Sequence, residues 1–214
     1  MPLVYLLYRC PRCGQDPLEG EKDEATCSAC GTHYARGGEG GLILVREPSG
    51  EVWEVPGHIL TTAMEGWNEE DPSGSGGTGP SIHQARVEVR KSGAEAPVWW
   101  GGELLGFAEA MGKPALGSLQ LTDEALVLSA VPGEQEGTPE GNASEIWLLL
   151  EIRAVQTSSS SLQFSPSGGG LIQLKFPDDS PFRWEALLRD ALRRAYRRAG
   201  LGGIVEFQPR IVVG

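Results

Sequence analysis

Tyr8-Arg9-Cys10-Pro11-Arg12-Cys13-Gly14, echoed by Thr26-Cys27-Ser28-Ala29-Cys30-Gly31-Thr32-His33-Tyr34, contains all four cysteines of the chain. Each stretch holds Cys-x-x-Cys followed by glycine. Two intervening residues let both thiolates of a pair face one cation, and the glycine lets the chain turn beneath the sulfurs. Two such pairs make a tetrahedral thiolate cage. Structural Zn²⁺ sits in Cys₄ shells of this kind at metal–sulfur distances of about 2.3 Å. Cys10, Cys13, Cys27 and Cys30 are therefore the expected metal ligands; an iron centre or a reducible dithiol pair would use the same pattern. Four thiolates fill the shell, so the site leaves no position for a substrate. His33 is expected at the surface or behind the ligands, since the shell is complete without it.

The gap from Gly14 to Thr26 suits a short hairpin, and Leu42-Ile43-Leu44-Val45 reads as a strand after the Gly37-Gly38-Glu39-Gly40-Gly41 turn. Met1 to Tyr8 is apolar and reads as the first strand of the unit. From about Leu3 to Val45 the chain resembles a zinc ribbon with rubredoxin-type knuckles, which places a first domain at 1–47. A unit of this size buries little core by itself, so metal binding is expected to supply much of its folding energy.

The 214 residues accommodate a medium domain beside this small one. A formal charge of −11 and a pI near 4.8 argue against nucleic acid as a partner, because no basic field is present to replace phosphate counterions. No apolar run approaches the ~18 residues needed to span a bilayer. The N-terminus lacks the basic start and small-residue cleavage site of a signal peptide. Metal-patterned thiols suit a reducing compartment, and the expected location is the cytoplasm.

No catalytic signature emerges. His58 and His83 stand apart from any nucleophile motif, and neither Gly-x-Ser-x-Gly nor His-Glu-x-x-His is present. Gly74, Gly76 and Gly79 match the spacing of a dinucleotide loop, but an acidic prolyl segment precedes them and Pro80 follows, so they read as a flexible loop. The expectation is a protein without enzymatic activity.

Beyond the ribbon, Glu51 to Val55 alternates like a short strand, and Ile59, Leu60, Ala63, Met64 and Trp67 fall at helical spacing between Pro56 and Trp67. The stretch 48–80 reads as a connector ending in a Gly/Ser/Pro-rich loop. Strands are expected from Gln84 to Arg90, Glu103 to Phe107, Ser118 to Thr122, Ala125 to Ala130, Glu145 to Val155, Ser160 to Ser165 and Gly169 to Phe176. Asp123-Glu124 is a tight turn and Pro132 to Asn142 a long acidic loop. The period then changes. Ser180 is the expected N-cap and Pro181 the first residue of a helix over 181–199, with Trp184, Leu187, Leu188, Ala191, Leu192 and Ala195 on one face and Gly200 as its stop. Ile204 to Val213 reads as a final strand. The expected class is mainly β (α+β).

The run Gly117-Ser118-Leu119-Gln120-Leu121-Thr122, then Ala125-Leu126-Val127-Leu128, Ile146-Trp147-Leu148-Leu149-Leu150-Glu151-Ile152, Leu162-Gln163-Phe164, Leu174-Lys175-Phe176 and the helix, resembles the GRAM branch of the pleckstrin-homology superfold. The likeness extends over about Gly101 to Ala199 within a second domain at 81–214. It implies a strongly bent, partly open β-barrel plugged by the C-terminal helix, and binding of lipids or peptides without catalysis. Phosphoinositide binders of that family use Lys and Arg in the first hairpin loop. Here Gly112-Lys113-Pro114 and Asp123-Glu124 offer one lysine against two acids, so a phosphoinositide pocket is not expected.

The helix carries six arginines, Arg183, Arg189, Arg193, Arg194, Arg197 and Arg198, against Glu185 and Asp190. They read either as a solvated face that favours the helix C-terminus and pairs with the protein's own acids, or as a docking face for anionic headgroups or an acidic partner. Trp99-Trp100 reads either as core or as an exposed interface anchor. The leading expectation is a non-catalytic zinc-binding adaptor that binds a protein or an anionic membrane surface. Alternatives are an accessory or regulatory subunit of a lipid-modifying enzyme such as a membrane acyltransferase, and a zinc-ribbon nucleic-acid-binding or transcription factor.

Overall fold

The computed structural model describes residues 2–38, 41–69, 83–130, 144–158 and 160–202. The Gly/Ser/Pro-rich loop from residue 70 to Pro80, the acidic loop Pro132 to Asn142 and the last strand expected at Ile204 to Val213 lie outside them.

The cysteine-bearing unit is a four-stranded antiparallel sheet of β1 (Glu24–Thr26), β2 (His33–Arg36), β3 (Leu42–Arg46) and β4 (Val52–Pro56), in that order. Alternation sets its face: Ile43 and Val45 point inward, and Val45 lies opposite Tyr34 in the β2–β3 register. The hairpin expected between the knuckles is present. Glu19 and Thr26 exchange backbone hydrogen bonds of 2.9 and 2.6 Å.

The first strand expected over Met1 to Tyr8 is instead a helical turn, α1 (Leu3–Leu6), continued by a bond from the Leu7 amide to the Leu3 carbonyl at 2.8 Å. The reason is burial. A turn of helix brings positions i and i+4 to one face, and Leu3 and Leu7 are both fully buried.

β4 and α2 (Gly57–Glu69) belong to the same unit. α2 inserts Leu60 and Met64, again four apart, into the core formed by Leu3, Leu7, Leu18, Tyr34, Ile43 and Val45. Pro56 ends β4 rather than opening the helix. The segment that follows residue 47 thus completes the core of the cysteine-bearing unit.

The second sheet is eight-stranded and antiparallel: β5 (His83–Trp100), β6 (Glu103–Met111), β7 (Ala115–Leu121), β8 (Ala125–Ala130), β9 (Glu145–Leu148), β10 (Ile152–Thr157), β11 (Leu162–Pro166) and β12 (Ile172–Lys175). Its order is β10-β11-β12-β5-β7-β8-β9, with β6 paired to β5. The single strand expected over Glu145 to Val155 is cut by a 3₁₀ turn, Leu149–Glu151. That turn joins β9 to β10, the two ends of the strand order, so the sheet must curl to bring its ends together. Among the described residues β9 and β10 do not pair, and no closed barrel forms.

α3 (Pro181–Arg198) fills the hollow. Its Ser180 N-cap accepts a hydrogen bond from the Arg183 amide at 3.2 Å, and Pro181 opens the helix where its missing N–H costs nothing. Trp184, Leu188, Ala191, Leu192 and Ala195 are buried among Val87, Leu119, Leu126, Phe164 and Leu174. Trp184 stacks on Phe176 with ring centroids 5.2 Å apart, and Trp147 meets Phe164 edge-on at the same distance.

The first turn of α3 also faces the other way. Phe182 and Ala186 pack on the core of the cysteine-bearing unit. Ser180 Oγ donates to the Tyr5 carbonyl, and Arg183 Nε reaches Asp16 at 3.1 and 3.2 Å. One helix therefore serves both hydrophobic cores.

Candidate metal centre

Each knuckle is shaped by the same pair of backbone bonds. The Cys10 amide bonds to the Gln15 carbonyl at 2.8 Å and the Gly14 amide to Cys10 at 2.9 Å; Cys27 with Thr32 and Gly31 with Cys27 repeat this at 2.9 Å each. Gly14 and Gly31 hold φ of +75° and +71°, the left-handed region that glycine enters without Cβ strain. This is why both Cys-x-x-Cys pairs end in glycine. The loops bring Cys10 Sγ to 3.7 Å from Cys30 Sγ and Cys13 Sγ to 3.6 Å from Cys27 Sγ, and all four sulfurs lie within 4.8 Å of one another.

Those separations discriminate between chemistries. A disulfide needs about 2.05 Å, and all four cysteines are free. A regular tetrahedron with about 2.3 Å from centre to sulfur has edges of about 3.8 Å, close to the two separations found. The cluster fits a four-coordinate metal ion. Cys10 and Cys27 are buried while Cys13 is exposed, so the cage is approached from the Cys13 side.

Neighbouring donors support the sulfurs. Tyr34 Oη lies 3.3 Å from Cys10 Sγ, Thr32 Oγ1 is 3.2 Å from Cys30 Sγ, and the Cys30 amide points at Cys27 Sγ from 3.5 Å. Burial pushes the Cys10 thiol up. Burial would also raise Cys30, but the hydroxyl and amide of Thr32, with Cys27 and Cys10, outweigh it and bring that thiol down to about 6. Burial and the contact with Cys10 raise the Tyr34 phenol, keeping it a donor. A cation in the cage favours the thiolates directly.

His33 is outside the cluster and sits 3.8 Å from Glu24. Arg12, inside the first knuckle, pairs with Glu47 at 3.0 Å and reaches Thr32 Oγ1 at 3.5 Å, tying the first knuckle to the second. The roles of Thr32 and Tyr34 are the ones that motif reading misses. Thr32 is reachable in principle, being two residues past Cys30, whereas the Tyr34 contact spans 24 positions and exists only once β2 is in place.

The basic positions of α3 are distributed among acids. Arg189 pairs with Glu185 at 2.6 Å; Arg194 pairs with Asp190 and with Asp123 at 3.4 Å; Arg198 donates to the Asp123 carbonyl. Arg197 is exposed in the last turn and Arg193 is half-buried. The Trp99-Trp100 pair lies elsewhere, beside the β5–β6 turn, 58 % and 75 % exposed.

No family model matches the chain, and no curated protein matches it. The molecule is a mainly β protein with a metal-compatible Cys₄ cluster and one long C-terminal helix. Among the described residues no helix is long and apolar enough to cross a membrane.

Proposed function

We propose that this chain is a non-catalytic adaptor in which a structural Zn²⁺ ribbon is docked on a pleckstrin-homology/GRAM-like domain, and that the domain binds a protein or an anionic membrane surface in the cytoplasm. The observation that carries the reading is the strand order. Leaving β6 aside, β5, β7, β8 and β9 are successive neighbours, β10, β11 and β12 form a second run returning to β5, and the helix follows. This order, seven strands followed by a helix, supports the likeness to the superfold. An all-thiolate shell supports a structural metal, because it keeps no open position for a reacting group.

The docking face in this proposal is the C-terminal half of α3, where Arg193 and Arg197 accompany Arg194 and Arg198 at the positive complement of the helix dipole. The test is flotation with phosphatidylcholine vesicles, with and without phosphatidylserine, beside lipid-free co-purification, using wild type and Arg193→Glu/Arg197→Glu. Zinc content and melting are measured on the same samples. The expected result is one zinc per chain in both proteins, with vesicle or partner retention only in the wild type. Retention in neither, or equally in both, overturns the docking assignment.

A further inference from the structure

β5 and the run β6–β7 make one long hairpin whose two halves differ in company. In the lower half, His83–Val89 pairs with Ala115–Leu121, and β12 and β8 flank it on either side. The flank ends at Ser92, whose amide bonds to the Leu171 carbonyl and whose Oγ accepts from the Leu171 amide, each at 2.7 Å. Beyond it β5 continues against β6 alone among the described residues, up to the Trp100–Glu103 pair. Gly101 and Gly102 close the tip at φ of +56° and +89°, the backbone of a two-residue primed turn.

A two-stranded ribbon is marginal in water by itself, and this one presents Val98, Trp99, Trp100 and Leu104 to solvent. Among the described residues neither of its edges is paired further, and the two edges are not equivalent. The β5 edge carries Pro97, which has no N–H and blunts an edge against further pairing. The β6 edge has no proline, lysine or arginine from Glu103 to Met111, and β6 pairs with β5 only, among the described residues. Charge is also unevenly placed. From Gly93 to Ala110 the ribbon has Glu95, Glu103 and Glu109 and no cation, while Lys91 and Lys113 are exposed at its base.

We infer that the ribbon is a dimerisation arm whose β6 edge pairs antiparallel with β6 of a second copy about a two-fold axis at Ala108, giving a four-stranded sheet. In that register position 105 meets 111, 106 meets 110 and 107 meets 109. Glu103 at one tip comes beside Lys113 at the base of the other copy, twice by symmetry. Moving the axis to Gly106 would set Glu103 against Glu109, and like charges directly opposite are destabilising. Charge complementarity thus selects the register. The contact is isologous and closes at two copies. It stands independently of the adaptor reading, which uses α3.

Sedimentation velocity on the full chain, over a wide concentration range, tests this. The wild type is expected to dimerise. Lys113→Glu is expected to weaken the dimer about tenfold, from two symmetry-related pairs of opposite charge turned to like charge, and adding Glu103→Lys to restore it. Trp99→Ala/Trp100→Ala tests the tip, and Ile146→Lys, on the exposed face of β9, is the control expected to leave association unchanged, with circular dichroism confirming that every variant folds. A wild type that stays monomeric overturns the inference. So does a dimer indifferent to the charge swap, or one dissolved by Ile146→Lys instead.

Discussion

Replacing Asp179 by alanine is expected to destabilise the protein by about 2–4 kcal/mol. Asp179 Oδ1 accepts from the Ser180 amide at 2.7 Å; Oδ2 accepts from Trp184 Nε1 at 2.8 Å and from Arg183 at 3.0 Å. Trp184 is fully buried, so its indole N–H has no water to turn to once the carboxylate is gone, and a buried donor left unpaired costs about 1–3 kcal/mol. The bond to Ser180 supports the helix start and adds roughly 0.5–1 kcal/mol. The ion pair adds least, about 0.5 kcal/mol, because both partners are partly exposed and Arg183 keeps Asp16. Urea unfolding at constant metal gives the total. The mechanism is isolated by Trp184→Phe, which keeps a ring and removes the N–H: in that background Asp179→Ala should cost about 1–2 kcal/mol less. A coupling near zero refutes the assignment of the carboxylate to Trp184, and a total below about 0.5 kcal/mol refutes the whole network.

Three further outcomes are expected. Tyr34→Phe removes the donor beside Cys10 and should weaken metal binding about 10-fold or more, as loss of outer-layer partners does; competition with a chelator measures it, and unchanged affinity shows that the hydroxyl does not support the sulfur. Gly31→Ala places a Cβ at φ of +71° and 3.1 Å from the Pro48 ring, and should cost about 1–2 kcal/mol from the backbone alone; a neutral result in thermal unfolding excludes strain at the knuckle. His83 has its pKa lowered from 6.5, by burial first and by Arg183 second. The unfolded chain therefore takes up this proton first as pH falls, so its contribution is complete above about pH 6.5 and lost as pH drops toward the folded-state value. His83→Gln should flatten the slope of stability against pH in that window, and an unchanged slope assigns the acid sensitivity to other groups.

Local chemistry is the part of this protein that reads well from a single chain. Cys-x-x-Cys-Gly carries its own geometry, because the turn, the two sulfurs and the left-handed glycine occupy five adjacent residues. Ser180-Pro181 and the face Trp184, Leu188, Ala191, Leu192 likewise fix a helix start and its buried side. The start of β8 follows because its apolar run and the Asp123-Glu124 turn both act within a few residues. Met1 to Tyr8 misled for a related reason. A short apolar run has the composition of a strand and of a buried turn alike, and only the cavity that accepts Leu3 and Leu7 together decides between them.

The sequence by itself determined the cysteines that form the metal-compatible cluster, the knuckle turns, the mainly β class and the single long helix, since each depends on residues near one another in the chain. Tertiary structure alone decided that β4 and α2 complete the core of the cysteine-bearing unit, that Tyr34 and Thr32 back the sulfurs, and that α3 is shared between two cores through Phe182, Arg183 and Ser180. It also decided that Trp99 and Trp100 stand exposed at the tip of the β5–β6 ribbon. Tryptophan enters a core or an interface for the same hydrophobic gain, and which one it joins depends on where the neighbouring strands stop. Among the described residues β12 pairs with β5 no further than Lys91, and the Ser92–Leu171 bonds close that flank.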